Sequence, residues 1–192
     1  FGQLAGEFIR TKVAPEEDAF RFAQYAGKTG ISKVAAGASL ADGAAVIAAL
    51  RAAITKMDED EVPANERYLY ITPLLLGYVQ DMDTTKSREV MQNFAKVVKV
   101  PQSRFYTAIE QKSGKTGEEA GGYAKAEGGK DINFMILHKP ALIQFSKHIA
   151  PKIIEPGANQ DGDAYKFGYR QVAIADVYKN KVAGIYLHHK AT

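Results

Sequence analysis

Two Gly-Lys-Thr triplets, Gly27-Lys28-Thr29 and Gly114-Lys115-Thr116, carry the residue types with which a phosphate loop cradles a nucleotide. Such a loop also needs a glycine five residues before the one preceding the lysine, so that successive backbone N–H groups converge on phosphate. Phe22 and Ile109 occupy those positions, so the triplets predict a helix end and a loop tip. Asn159-Gln160-Asp161-Gly162-Asp163 supplies oxygen ligands in the manner of a calcium loop, but Gly168 stands where the bidentate Glu belongs, and a turn before a strand is the reading. The acidic run 58–61, with Pro63 after it, reads as a solvated helix end.

His138, His148, His188 and His189 show no metal-ligand spacing, and the last two point to opposite faces of a strand. Gly37-Ala38-Ser39 opens like a nucleophile elbow, yet Ala41 replaces its closing glycine. The absence of cysteine removes disulfides, thiolate metal sites and Cys nucleophiles. No catalytic, cofactor-binding or metal-binding residue is assigned, and no cofactor is implied. The chain is read as a non-enzyme; a carboxylate pair assembled only by folding leaves no sequence signature and is the third-ranked alternative.

The elements that would position these residues follow from periodicity and punctuation. Phe1, Leu4, Ala5, Phe8 and Ile9 form an apolar stripe that predicts a helix with a buried face, already running at the first residue. Without an initiator Met or a cap, the chain is expected to start in mid-structure, with a segment lost upstream. The helix is expected to kink or break at Ala14-Pro15 and resume through Glu16, Glu17 and Asp18 to Gly27, as two consecutive helices or one long bent one. Asp42 or Ser39 caps a helix over 43–57, with Val46, Leu50, Ala53, Ile54 and Met57 on one face. A strand at 67–72 leads into a helix opened by Pro73, and the same grammar predicts a strand at 132–137 followed by a helix from Lys139-Pro140 that carries Leu142, Ile143 and Phe145. Residues 87–98 read as helical or mixed, and 104–109 as extended. The stretch 110–131 holds six glycines and reads as a flexible surface loop, disordered in isolation and a candidate contact element. From 165 to 188 the pattern is β-rich, with a change of sheet face or bulge near Arg170-Gln171 because Val172 and Ile174 switch parity.

With 192 residues, 46% hydrophobic and 24% charged, the chain suits one domain with a single good core. It has no membrane-length apolar run and no signal sequence at its start, and synthesis inside a cell fits. The formal charge of +3 comes from 25 basic and 22 acidic residues spread along the chain, which leaves room only for weak polyanion contact.

The segment 81–109, DMDTTKSREVMQNFAKVVKVPQSRFYTAI, resembles major capsid proteins of tailed bacteriophages and prophages. So do 2–26, GQLAGEFIRTKVAPEEDAFRFAQYA, then 132–156, INFMILHKPALIQFSKHIAPKIIEP, and 163–189, DAYKFGYRQVAIADVYKNKVAGIYLHH. Together these blocks cover most of the chain, the glycine-rich loop being least alike. The resemblance implies an α+β Hong Kong 97-like capsid fold with a long spine helix, a peripheral β-sheet and an axial α/β domain. Residues 1–38 would be the spine helix and the start of the peripheral domain, 39–158 the axial domain with loop 110–131, and 159–192 the return strands completing the peripheral or axial sheet. The lost segment would be the arm and extended loop that wrap neighbouring subunits. Implied partners are copies of itself in capsomers, scaffolding and portal proteins, and packaged DNA by non-specific contact, with no membrane. The implied location is the virion capsid, after synthesis in the bacterial host cytoplasm. The loop 110–131 would make contacts within capsomers. Without its wrapping elements, this chain alone is expected to be monomeric or weakly associated. An encapsulin-like shell subunit enclosing protein cargo is the alternative, and no cross-linking Lys or Asn carries over.

Overall fold

The computed structural model describes residues 2–191, with His148 described by its backbone alone. Phe1 and Thr192, and with Phe1 the start of the apolar stripe, lie outside that description. In chain order the elements are α1 (Gly2–Phe8), a π-helical turn (Ile9–Val13), α2 (Ala14–Ala26), β1 (Ser32–Lys33), α3 (Gly43–Glu59), β2 (Arg67–Ile71), α4 (Pro73–Met82), α5 (Thr85–Gln92), β3 (Lys96–Lys99), β4 (Ile109–Gln111), β5 (Tyr123–Lys125), β6 (Ile132–His138), β7 (Leu142–Ile154), β8 (Lys166–Val177) and β9 (Ile185–His189).

A five-stranded mixed sheet in the order β1-β9-β6-β2-β3 forms the centre of the chain. Its middle strand, β6, is buried along its whole length, as expected of an unbroken apolar run covered on both faces. Phe134 and Ile136 pack with Val46, Leu50, Ala53 and Met57 of α3, whereas Ile132, Met135 and Leu137 pack with Phe22 and Tyr25 of α2. Ile132 and Phe134 would share a face in a regular strand; a register shift between them against β9 sends them to opposite layers.

The helix layer is closed by local chemistry. Asp42 caps α3 by accepting from the Ala45 N–H at 2.8 Å, and Thr84 and Ser87 form a reciprocal cap at the start of α5. At the other end of α3, Glu61 N–H donates to the Asp58 carbonyl and Val62 N–H to that of Met57, both at 3.0 Å. This is the paired closure that usually carries glycine at its left-handed residue; here Glu61 holds φ 57°. Gly43 is required for packing, because a Cβ there would strike the Tyr78 carbonyl and the Met82 side chain.

Several expectations are corrected. Of the two forms expected at Ala14-Pro15, the break is absent and one long helix holds: Ala14 is helical at φ −62°, ψ −43°, and the wider π-helical turn just before it carries the backbone into Pro15. The stripe on α1 is not buried, since Leu4 is 67% and Phe8 42% exposed. Lys139-Pro140 opens only a short 3₁₀ turn over Lys139–Ala141, and Leu142, Ile143 and Phe145 belong to β7, paired antiparallel with β8. Long-range pairing overrides a local helix-start signal there. The supposed switch of face in β8 does not occur, because exposed and inward residues alternate unbroken from Lys166 to Ala175. The bulge lies in β7 between Ser146 and His148, and Val172 and Ile174 stay on the outer face. The glycine-rich stretch is a β-hairpin, β4 with β5, rather than a structureless loop.

Candidate assembly surface

The residues that hinted at chemistry are placed in structural roles. Lys28 of the first triplet follows α2 and pairs with Asp176 of β8 at 2.7 Å. Lys115 of the second sits in the tip of the β4–β5 hairpin, which is tied by Ser113 to Glu118 and by Gly117 N–H to Glu119. Asn159 to Asp163 forms the turn between β7 and β8, where the Asn159 carbonyl oxygen of the side chain accepts from Asp161 N–H. Gly37 holds φ 75° against the Lys190 carbonyl, and the next carbonyl, Ala38, accepts from the Asn133 amide, so the elbow-like triplet is a strap across β6 and β9.

His138, His188 and His189 are buried, and among the described residues no group of three His, Cys, Asp or Glu could hold a metal. His188 stacks on Phe134 with ring centroids 4.8 Å apart, and its Nδ1 lies 3.1 Å from the Asn133 amide nitrogen. That amide donates, so Nδ1 accepts and the ring is neutral. Burial pushes the His188 pKa down to about 4, with His189 adding to the effect.

Acidic residues in the arm are likewise engaged. A cleft of about 590 Å³ lies between the α1–α2 helix, β8 and the end of β4, with Phe8, Val13, Phe20 and Phe167 among its lining. Its two carboxylates are spoken for: Glu16 accepts from Gln111 of β4 at 3.1 Å and Glu17 from Gln171 of β8 at 2.9 Å, besides its ion pair with Arg21. The cleft therefore pins three elements together.

The same contacts define an arm. Phe8 meets Phe167 edge-on at 5.8 Å, Gln144 donates to the Tyr25 hydroxyl at 2.8 Å, and Arg104 pairs with Asp18 at 2.9 Å. One helix thus runs from the central sheet out along the β7–β8 ribbon, flanked by the β4–β5 hairpin. Strands β7 and β8 pair only with each other among the described strands, so each keeps a free edge. Among the described residues, five of the ten exposed large apolar side chains, Phe145, Ile149, Ile153, Val172 and Ile174, lie in these two strands. Exposure on that scale marks an interaction surface. Sequence reasoning missed it because the ribbon was divided between a helix and a strand.

This arrangement, a long helix with a two-stranded ribbon beside a mixed sheet, is a phage capsid-like fold. Solved structures carry the statement: a chain of Mycobacterium phage Che8 aligns with a TM-score of 0.57 at 10% identity, over 92% of this chain and 58% of that one. A chain of the capsid structure of the cyanophage P-SCSP1u aligns with a TM-score of 0.50 at 16% identity, over 93% of this chain and 61% of that one. The protein thus spans about three fifths of the chains it resembles. No protein-family model and no curated protein matches the sequence. No helix among the described residues is long and apolar enough to cross a membrane.

Proposed function

We propose that the chain is a structural subunit of the capsid of a tailed phage or prophage, of the Hong Kong 97-like type. The observation that carries this reading is the likeness in fold to phage capsid chains over more than nine tenths of its length. The exposed apolar ribbon supports it, because a subunit that works by association needs uncovered surface. In this reading, copies of the chain form pentamers and hexamers through heterologous contacts, and these close into an icosahedral shell around double-stranded DNA. Many modest interfaces sum by avidity, so no single contact need be strong. The α1–α2 helix is the spine, the β7–β8 ribbon belongs with it to the peripheral domain, which takes 142–154 from the axial stretch 39–158 first expected, and the sheet with α3 to α5 forms the axial domain. Scaffolding and portal proteins are its partners in assembly, the virion capsid its destination and the bacterial cytoplasm its place of synthesis. It performs no catalysis.

The test is expression of the complete gene encoding this chain, with particle sizing and electron microscopy. Uniform closed shells holding nucleic acid are the expected outcome. Shells filled with protein point to the encapsulin-like alternative, and a stable monomer overturns the reading.

A further inference from the structure

The β7–β8 ribbon has an outer face whose composition is divided along its length. Directly paired residues share a face, so the pairs of Phe145 with Ile174 and Lys152 with Gly168 fix which side chains point outward. Toward the base the face is apolar, with Phe145 60%, Ile174 57% and Val172 42% exposed. Further out come Lys152 and Arg170, both exposed and without an ion pair among the described residues. The two strands hold four basic residues and one acidic one, Asp176, which is neutralised by Lys28. Among the described strands none but its partner pairs with either strand of the ribbon, and a lone two-stranded ribbon is marginal in water.

The rest of the chain offers a surface of the opposite character. At the corner after α3, Glu59 and Glu61 are exposed beside exposed Pro63 and Ala64. Asp58 and Asp60 next to them are engaged by Arg67 and Lys56, which leaves Glu59 and Glu61 as the unengaged carboxylates. Two free carboxylates next to a small apolar step match two free cations next to an apolar trio.

We propose that the outer face of the β7–β8 ribbon docks a second copy of this chain through the α3 corner that carries Glu59, Glu61 and Pro63. The contact is heterologous, the ribbon of one copy meeting the corner of the next, so repetition makes rings or a lattice rather than a closed dimer. The inference rests on the shell-subunit reading and names one of its interfaces. Opposite charge sets the register and speeds encounter, while burial of Phe145, Val172 and Ile174 supplies the attraction.

The experiment is sedimentation velocity of this chain over a wide range of concentration, at low and high salt. Mass that rises with concentration and falls with salt is expected. Arg170→Glu and Ile174→Ser, both at exposed positions, should each weaken association by roughly tenfold while the circular dichroism spectrum stays that of the unaltered chain. Glu61→Lys in the Arg170→Glu chain should restore it, since reversed charges then face each other. Glu61→Gly is the second control: glycine relieves the positive φ at that position, so the melting temperature holds or rises while association weakens. A chain that stays monomeric throughout, association indifferent to these changes, or charge reversals that fail to compensate each overturn the proposal. So does loss of duplex DNA retardation on Arg170→Glu in a chain that never self-associates, which assigns the ribbon to a polyanion. Normal shells from the complete gene carrying Arg170→Glu would sink this contact yet leave the shell reading standing, whereas absence of shells from the unaltered gene sinks that reading itself.

Discussion

His188 is the residue whose environment most constrains the behaviour of the chain with pH. Its neutral ring accepts the Asn133 amide and stacks on Phe134, so protonation sets two donors facing each other in a buried layer. The native pKa of about 4 lies below the ordinary histidine value of 6.5, so the unfolded chain binds more protons between those values. Stability is therefore retained above pH 6.5, falls as pH drops toward 4, and loses on the order of 2 kcal/mol from this group. Thermal unfolding across that range should show the slope, and His188→Gln should flatten it. Arg67 gives a second residue-scale prediction. Its side chain is 2% exposed, donates to the Val62 and Pro63 carbonyls and pairs with Asp58, itself 57% exposed. Arg67→Met strands two carbonyls at the turn from α3 to β2 and should cost about 2–4 kcal/mol by denaturant unfolding. Asp58→Asn leaves those bonds in place and should cost about 1 kcal/mol or less, as a solvent-facing partner does.

At the scale of elements, the β4–β5 hairpin and the β7–β8 ribbon are the parts that local sequence described worst. Residues 110–131 hold six glycines, and the three-residue strands on either side are too short to announce themselves. What makes them strands is contact: Tyr123 donates to the Ser103 carbonyl at 2.9 Å, and Gln111 reaches Glu16 on α2. Asp131 closes the base, where Lys190 and Lys125 at 3.0 and 3.1 Å outweigh the burial that would raise its pKa and hold it below the usual carboxylate range. The tip adds bonds only to itself. Replacing residues 112–122 by a two-residue turn should therefore leave the melting temperature within a few degrees, whereas Asp131→Ala should lower it further. If the tip makes the contacts within capsomers anticipated for this stretch, the shortened protein fails to form regular shells despite folding.

Across the whole molecule, stability is distributed unevenly. The central sheet is buried on both faces, and two apolar clusters meet at β6. The base of the arm shares the buried cluster through Phe22, Tyr25 and Val177, whereas its outer part is held by polar pins and the Phe8–Phe167 contact, with both ribbon edges open among the described strands. Hydrogen exchange should be slowest in β2, β6 and β9, and fastest in α1 and the outer half of β7 and β8. Exchange equally slow in both parts would contradict this division. A loosely held outer arm with uncovered apolar side chains suits the shell subunit proposed above, in which docking would supply the burial the isolated chain lacks.

The sequence by itself determined the parts governed by local signals. The Asp42 cap and the spacing of Val46, Leu50, Ala53 and Met57 set α3, the apolar runs set β2 and β6, and Pro73 opened α4. The missing second glycine in each Gly-Lys-Thr triplet already spoke against a nucleotide site. Only the tertiary structure decided β7, because Lys139-Pro140 followed by apolar residues is a plausible helix start until β8, more than twenty residues later, offers a partner. It also decided which side of β8 faces outward, since the bulge that reconciles the parity sits in the other strand. Caps and periodicity are written within a few neighbouring residues. Strand pairing, and with it the uncovered ribbon on which the proposed assembly depends, is settled between residues far apart in the chain.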